Sequence, residues 1–480
     1  MTIAQALLPY HIEIVDTPEL VTSHAALPLV LEAMRAVIPT SRYRDLRDAL
    51  KYEDWKTVQG HVESLVLLVV AGGEHTSDLE VLRADRGLEK LLGRRVSGPT
   101  QAKDFLYRFH QGRDGHLLTP DEDAALSKPG KAQIREEGPG LVALERLVLD
   151  VVEALAVTRP RDTATLDVDA TILSAHKKTA LVAYEGTRGY QPQMAFWSEQ
   201  GIWVCDEFRD GNVPAAFQVR AFLERAFAAL PGGVQRRRLR ADSALYDEEA
   251  LTWADSEGIE FAVSADMSEA LRAKVERIPE HEWKPYKNLS ERASVNEERE
   301  WAEVIDFIPN WKRNHKKSGE ALRYIAIRVR TRQRELFESE ASAWRHFAVV
   351  TNMDWQGDRL LRWHREKQGT VEQAHGVLKN DLGGSCLPTG KFGSNAAWWR
   401  INVLAHDLLE LLKASALPES LANARPKTLR FQLLTLPGRL VHHARSWILK
   451  ISAAFPLASA LVAAREHLAQ LAKRLGVAPA

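Results

Sequence analysis

At 480 residues the chain is too long for one ordinary core, and 45% apolar with 27% charged residues is a globular composition, not a disordered or fibrous one. Its 64 basic residues balance 64 acidic ones, so net charge lends no support to nucleic-acid binding. The two cysteines, Cys205 and Cys386, are far apart and in no C-x-x-C pair; this excludes a disulfide framework and a cysteine zinc site, and fits a reducing cytoplasm.

Glu13, Asp16 and Glu19 interrupt any apolar start, so no signal peptide is expected. The most apolar late stretch, Ile451–Ala464, contains Pro456 and is too short to cross a bilayer. A soluble protein with no membrane partner is the expectation.

To about residue 155 the chain reads as mostly helical. Ala26–Val37 and Val58–Val70 carry apolar residues at helical spacing. Ser77-Asp78 caps a helix from Leu79, and Ser97-Gly98-Pro99-Thr100 leads into another over Gln101–Phe109. Short helices joined by a glycine-containing turn fit either a DNA-reading helix-turn-helix or an ordinary helical hairpin, and the hairpin is the commoner pattern. The Gly-, Pro- and acid-rich run 111–140 reads as a linker.

From Ala164 the pattern turns to strands. Thr165–Thr171, Gln191–Trp197 and Gly201–Arg209 alternate, the latter two as a hairpin. A helix over Val213–Leu230 stops at Pro231-Gly232-Gly233. A strand (Arg238–Asp242), a helix (Asp247–Ser256) and a strand (Ile259–Ser264) follow. Three strands, helix, strand, helix, strand is the element order of an RNase H-like core, a mixed sheet carrying helices. Trp301–Ile308, Leu322–Arg330 and Trp344–Val350 then alternate with basic loops between them, a β-rich insertion. Helical spacing returns from about Asp358 and again over Trp398–Leu412, and Pro426 and Pro437 break up a helical end. The expected fold is mixed α/β, divided as a helical N-terminal domain (1–155), an RNase H-like core in two parts (156–266 and 351–415), a β-rich insertion (267–350) and a C-terminal helical region (416–480).

Three acids stand out. Asp167 and Asp169 lie two apart on one strand and share a face. Two such charges on a core strand resist burial unless a cation neutralises them, although a wet edge strand would also tolerate them. Asp242 ends a strand, where acids of such sheets point into the ligand crevice; it is equally placed to cap the next helix. Glu372, His375 and Lys379 fall at i, i+3 and i+7 of one helix face, a carboxylate and an ammonium suited to a phosphodiester, or an ordinary charged surface. Basic clusters at Arg236–Arg240, Lys312–Lys317, Arg328–Arg334 and Arg425–Arg445 point weakly to phosphate contacts, a solvated face being the plain alternative. Trp355 and other aromatics of the insertion suit base stacking or, more commonly, a core.

Asp169-Ala170-Thr171, Arg240-Ala241-Asp242-Ser243 and Gly369-Thr370-Val371-Glu372 with Lys379-Asn380-Asp381-Leu382 resemble the DDE transposases of bacterial insertion sequences, closest to the IS1380 group of the IS4 superfamily. Gly189-Tyr190-Gln191-Pro192, Arg209-Asp210-Gly211-Asn212, Phe392–Trp398 and Leu79–Gly93 support the likeness, which covers most of the chain. The resemblance implies catalytic, metal-binding Asp169, Asp242 and Glu372. Of the superfamily's Y-x₂-R-x₃-E-x₆-K signature, Glu372 and Lys379 are kept, while Arg365 and Gln368 replace the tyrosine and arginine. Lys379, Arg365 and Arg240 are the expected DNA contacts. Also implied are Mg²⁺ (with Mn²⁺ able to substitute), two-metal cleavage and strand transfer, transposon-end and target double-stranded DNA, a homodimer on DNA, and a cytoplasmic, nucleoid-associated location. The alternatives are an RNase H-like nuclease without strand transfer, or a non-catalytic DNA-binding descendant of a transposase. Glycoside hydrolysis lacks an acid in an apolar pocket, and a di-iron site lacks a second Glu-x-x-His.

Overall fold

The computed structural model describes residues 19–286, 297–309, 322–331 and 344–477. Its centre is Thr163–Ala170 (β1), buried along most of its length because it pairs on both sides. Gln193–Trp197 (β2) and Ile202–Glu207 (β3) form the expected hairpin, antiparallel to β1 and to each other. Gly201 closes the turn between them at φ +74°, a left-handed conformation that a side chain would strain. On the other side of β1, Arg236–Ala241 (β4) and Glu260–Ala265 (β5) join in parallel, with Leu166 opposite Leu239 and Leu239 opposite Phe261. The resulting order, β3-β2-β1-β4-β5, is that of an RNase H-like sheet.

Beyond β5 the sheet does not stop. Lys284–Pro285 (β6), Glu297–Val304 (β7), Arg323–Thr331 (β8) and Arg345–Thr351 (β9) extend it through antiparallel pairs, β9 lying against β5 with Val350 opposite Val263. Among the described residues the sheet therefore has nine strands, in the order β6-β7-β8-β9-β5-β4-β1-β2-β3. The cluster Lys312–Lys317 and the end of the cluster Arg328–Arg334 lie outside the described residues.

Three long helices pack together beside the sheet. Trp55–Ala71 (α1) is buried along most of its length, with a continuous apolar run over Leu65–Ala71; Asp54 caps its first turn and Gly72 ends it. Pro139–Thr158 (α2) lies against Phe392–Ser415 (α5), the most buried helix, which also touches α1 and β3. Gly357–Arg365 (α3) and Lys367–Gly376 (α4) come between β9 and α5 in the chain, α4 lying on β1. One hydrophobic core runs from Ala25 to Leu471. A second, smaller one joins Trp301, Ile325 and Val349 of the added strands to Leu360 and Leu361 of α3. No helix of the described residues is long and apolar enough to cross a membrane.

Two expectations need correction. The run read as a linker is ordered and tied to the core. Arg135 bonds Asp210 at 3.1 Å, and Glu137 takes both terminal nitrogens of buried Arg400 at 2.7 and 2.9 Å. The C-terminal region is not all helix: Gly438–His443 and Ser446–Lys450 form a hairpin that also pairs with Leu20–Thr22. Its turn places Ala444 and Arg445 at φ +48° and +67°, conformations that usually call for Gly or Asn, so the sequence carries no hairpin signal there. Ala458–Leu475 is helical and packs on the helix Pro28–Val37.

Candidate functional site

Asp169 is the penultimate residue of β1, Asp242 follows the last residue of β4, and Glu372 lies on α4. β1 and β4 are parallel neighbours, so their carboxyl ends lie side by side, and α4 crosses β1. Sheet pairing and helix packing thus bring three acids remote in sequence to one cleft of about 570 Å³. A second cleft, of about 440 Å³, meets the first at Asp169 and Asp242.

The two acids of β1 face the same way but have different partners. Asp167 is fully buried and held by Arg240, Nε on Oδ1 at 2.6 Å and Nη2 on Oδ2 at 2.9 Å, with the Thr370 hydroxyl also donating to Oδ2. Asp169 is partly open; its nearest cation is the Lys367 ammonium at 3.4 Å. Burial raises the Asp169 carboxyl above the usual range, Lys367 pulls it down, and the nearby Asp242 charge pushes it up. The pair of like charges is thus balanced first by an arginine, and the carboxylate without an arginine partner is Asp169.

Asp242 does act as a cap: its Oδ1 accepts from the Ala244 N–H at 3.0 Å. The same residue lines the cleft, so capping and ligation are not exclusive. The strand end before it is pinned by His364, whose Nε2 donates to the Ala241 carbonyl at 3.0 Å. Burial drives the His364 pKa down to about 4, so the ring is neutral at pH 7. Glu372 is exposed on the cleft wall and has no hydrogen-bond or ion-pair partner among the described residues.

The α4 helix does not run on as an α-helix to Lys379. Val377–Asp381 is π-helical, a wider turn, and from it Lys379 donates to Thr171 Oγ1 at 3.1 Å, just past the end of β1. His375, between Glu372 and Lys379, is buried against Trp203 with ring centroids 4.9 Å apart, and its Nε2 is 3.9 Å from Asp169 Oδ2. Burial drives its pKa to about 3, Lys379 and Lys367 pushing the same way, and neither ring nitrogen finds a hydrogen-bond partner.

Of the expected DNA contacts, Arg365 lines the cleft and has no ion pair among the described residues. Arg240 does not reach the surface. It is 1% exposed, and its five N–H groups are spent on Asp167, Ser198, the Trp363 carbonyl and Glu366. The neighbouring arginines are also committed: Arg236 to Asp162, Arg237 to the Glu257 carbonyl, and Arg238 to Glu260. Trp355 is half-buried between the guanidinium groups of Arg238 and Arg359, at 4.9 and 4.3 Å.

Sequence reasoning missed three cations of the cleft. Lys367 lies inside the segment already singled out, but at i−5 from Glu372 it shares no ideal helical stripe with it. Arg299 on β7 and Arg345 on β9 reach the cleft only because the added strands continue the core sheet. No spacing along the chain signals that.

The carboxylates offer hard oxygen donors, and Asp169, Asp242 and Glu372 each have oxygen capacity that protein donors leave unused. That donor set fits Mg²⁺ or Mn²⁺, which take oxygen ligands and keep waters. The three do not close on a point: among the described residues, the set of three His, Cys, Asp or Glu ligand atoms within 4.8 Å of one another lies elsewhere, at Glu74, His75 and Cys386.

No curated protein matches the chain. Among solved structures it is similar to a piggyBac transposase, seen by cryo-EM in a synaptic complex with hairpin DNA. Identity is 9%, with 85% of this chain and 80% of that one covered and a TM-score of 0.47; nothing about this site follows from so distant a likeness. Residues 11–473 match the family model for the transposase DDE domain, group 1. That match spans nearly the whole chain, so the protein belongs to the DDE transposases of this group, a family of polynucleotidyl transferases that generally use divalent metal ions.

Proposed function

We propose that the chain cuts DNA at the ends of a mobile element and joins the freed 3′ ends to target DNA, in one site built on Asp169, Asp242 and Glu372. The observation that carries this reading is the convergence of three acids from two strand ends and a helix on one cleft, which Arg299, Arg345 and Arg365 also line. Acids and guanidinium groups lining one cleft suit a phosphodiester that must be bound and attacked at once. Divalent ions, Mg²⁺ by preference, when bound to the three acids supply an activated water or 3′-hydroxyl and neutralise charge on the leaving oxygen. The chain's own residues bind and orient. Lys379 and Arg365 contact backbone phosphates beside the acids, Arg299 and Arg345 hold the strand against them, and His364 fixes the strand end that carries Asp242. Asp169 is preferred over Asp167 as the first ligand because both Asp167 oxygens are committed to Arg240.

The IS1380 group, a bacterial source, a dimer on DNA and a cytoplasmic location belong to the same reading, on the strength of the motifs around the three acids. The test uses Asp242→Asn, which keeps an acceptor for the Ala244 N–H. The variant is expected to bind element-end DNA like the parent, and to lose both cleavage and the joining of a pre-cleaved end. Cleavage by the variant at the parent's rate would remove Asp242 from the site. Cleavage without joining by the parent would make the protein a nuclease.

A further inference from the structure

Outside the lining of the cleft, α1 ends at Ala71 and the chain turns through Gly72 and Gly73 to Glu74 and His75. These stand against the loop 382–387 that follows the π-helical turn. One ligand atom each from Glu74, His75 and Cys386 lie within 4.8 Å of one another, the one such triplet among the described residues. The Cys386 Sγ is 3.6 Å from Glu74 Oε2. In a tetrahedral zinc site, with Zn–S of about 2.3 Å and Zn–O of about 2.0 Å, sulfur and oxygen ligands stand about 3.5 Å apart. The pair already has the separation such an ion requires.

We propose that Glu74, His75 and Cys386 bind a zinc ion, with the fourth position taken by water. One thiolate, one carboxylate and one neutral imidazole balance a dication with no charge left over, and the sulfur and nitrogen ligands favour zinc over magnesium. Zinc binding displaces the Cys386 thiol proton to solvent and converts the S–H to carboxylate contact into two metal bonds.

Both halves of the site are preformed. The Glu74 and His75 N–H groups donate to one Asp78 oxygen at 2.9 and 3.0 Å, which fixes the turn carrying these two ligands. The Cys386 N–H donates to the Gly383 carbonyl at 3.0 Å, and Ser385 Oγ donates to the Lys379 carbonyl at 2.9 Å. The two backbones meet closely because residue 383 is glycine, at φ +69°; a Cβ there would stand 3.1 Å from Glu74 Cα. Zinc would therefore fasten the end of α1 to the segment that carries Lys379, joining residues 312 positions apart. That span is why the cysteine count excluded such a site: no local ligand spacing exists to be read.

The experiment takes the purified full chain, stripped of metal, and dialyses it against zinc in a large excess of Mg²⁺. One zinc per chain is expected to remain. Co²⁺ in its place should give a near-ultraviolet thiolate charge-transfer band, and zinc should raise the thermal midpoint. Cys386→Ser and His75→Ala should lose the band or the ion, with zinc affinity lowered more than about tenfold. A Glu372→Gln chain should keep its zinc. Should Cys386→Ser fail to fold, Glu74→Gln takes its place. Parent protein that retains no zinc, or variants that retain as much as the parent, would overturn the proposal.

Discussion

Arg240 grips Asp167 through two parallel bonds, at 2.6 and 2.9 Å, with both side chains shut away from solvent. The pair ties β4 to β1 in the strand interiors, two residues short of each strand's acid, and through the Trp363 carbonyl it also holds the end of α3.

Removing one partner of such a pair strands the other as a buried charge. Arg240→Ala is expected to cost about 3–5 kcal/mol in stability. Urea unfolding gives the value, and an undiminished midpoint would show that the guanidinium is dispensable. Any variant that folds should keep the parent's salt dependence of DNA binding, since Arg240 makes no phosphate contact.

The half-buried cations Arg365 and Lys379, in no ion pair among the described residues, should behave in the opposite way. Arg365→Ala and Lys379→Ala are each expected to leave unfolding nearly unchanged. Each should weaken end binding, and reduce the slope of log affinity against log salt by about 1. Binding measured over a range of salt concentrations decides this; an unaltered slope would take the residue off the DNA.

Acid should destabilise the protein through its buried neutral histidines. His61 is buried, stacked on Phe105 and bonded to Ser97, and burial lowers its pKa to about 4. The folded pKa lies below the unfolded value of about 6.5. The stabilising difference is therefore complete above about pH 6.5 and is lost as the pH falls towards 4, on the order of 3 kcal/mol for this residue. His61→Gln should flatten the fall in thermal midpoint over that range; an unchanged profile would assign the acid loss to other groups.

Gly393 lies in the first turn of α5, against Phe109 and His110, where the ordered run 111–140 (the strap) begins. A Cβ there would stand 2.2 Å from the Phe109 carbonyl oxygen, and backbone cannot step aside as a flexible side chain can. Gly393→Ala is expected to destabilise by about 1–3 kcal/mol or more. Protease nicking between residues 111 and 138 should rise in parallel, and a chain that resists nicking as well as the parent would argue that the strap is held elsewhere.

The RNase H-like strands were legible because each carries its own alternation and is bounded by turn residues, as Pro231-Gly232-Gly233 bounds β4. The positions of Asp169 and Asp242 at strand ends and of Glu372 on a helix followed from elements whose type could be read. What escaped depends on tertiary placement. Four arginines before Asp242 look alike in a run, yet one is buried and the others meet local acids or a carbonyl. Charge identity carries no burial. Lys367 reaches Asp169 because α4 packs on β1. The hairpin after Gly438 was hidden by left-handed Ala444 and Arg445, and its partner Leu20–Thr22 lies at the other end of the chain.

The continuity of β9 with β5 has a mechanical meaning. A rib of backbone hydrogen bonds from Ala262 to Ala265 welds Arg299 and Arg345 to the same plank that carries the acids. The arginines of the added strands and the strand ends carrying Asp169 and Asp242 therefore belong to one sheet and not to separate lobes.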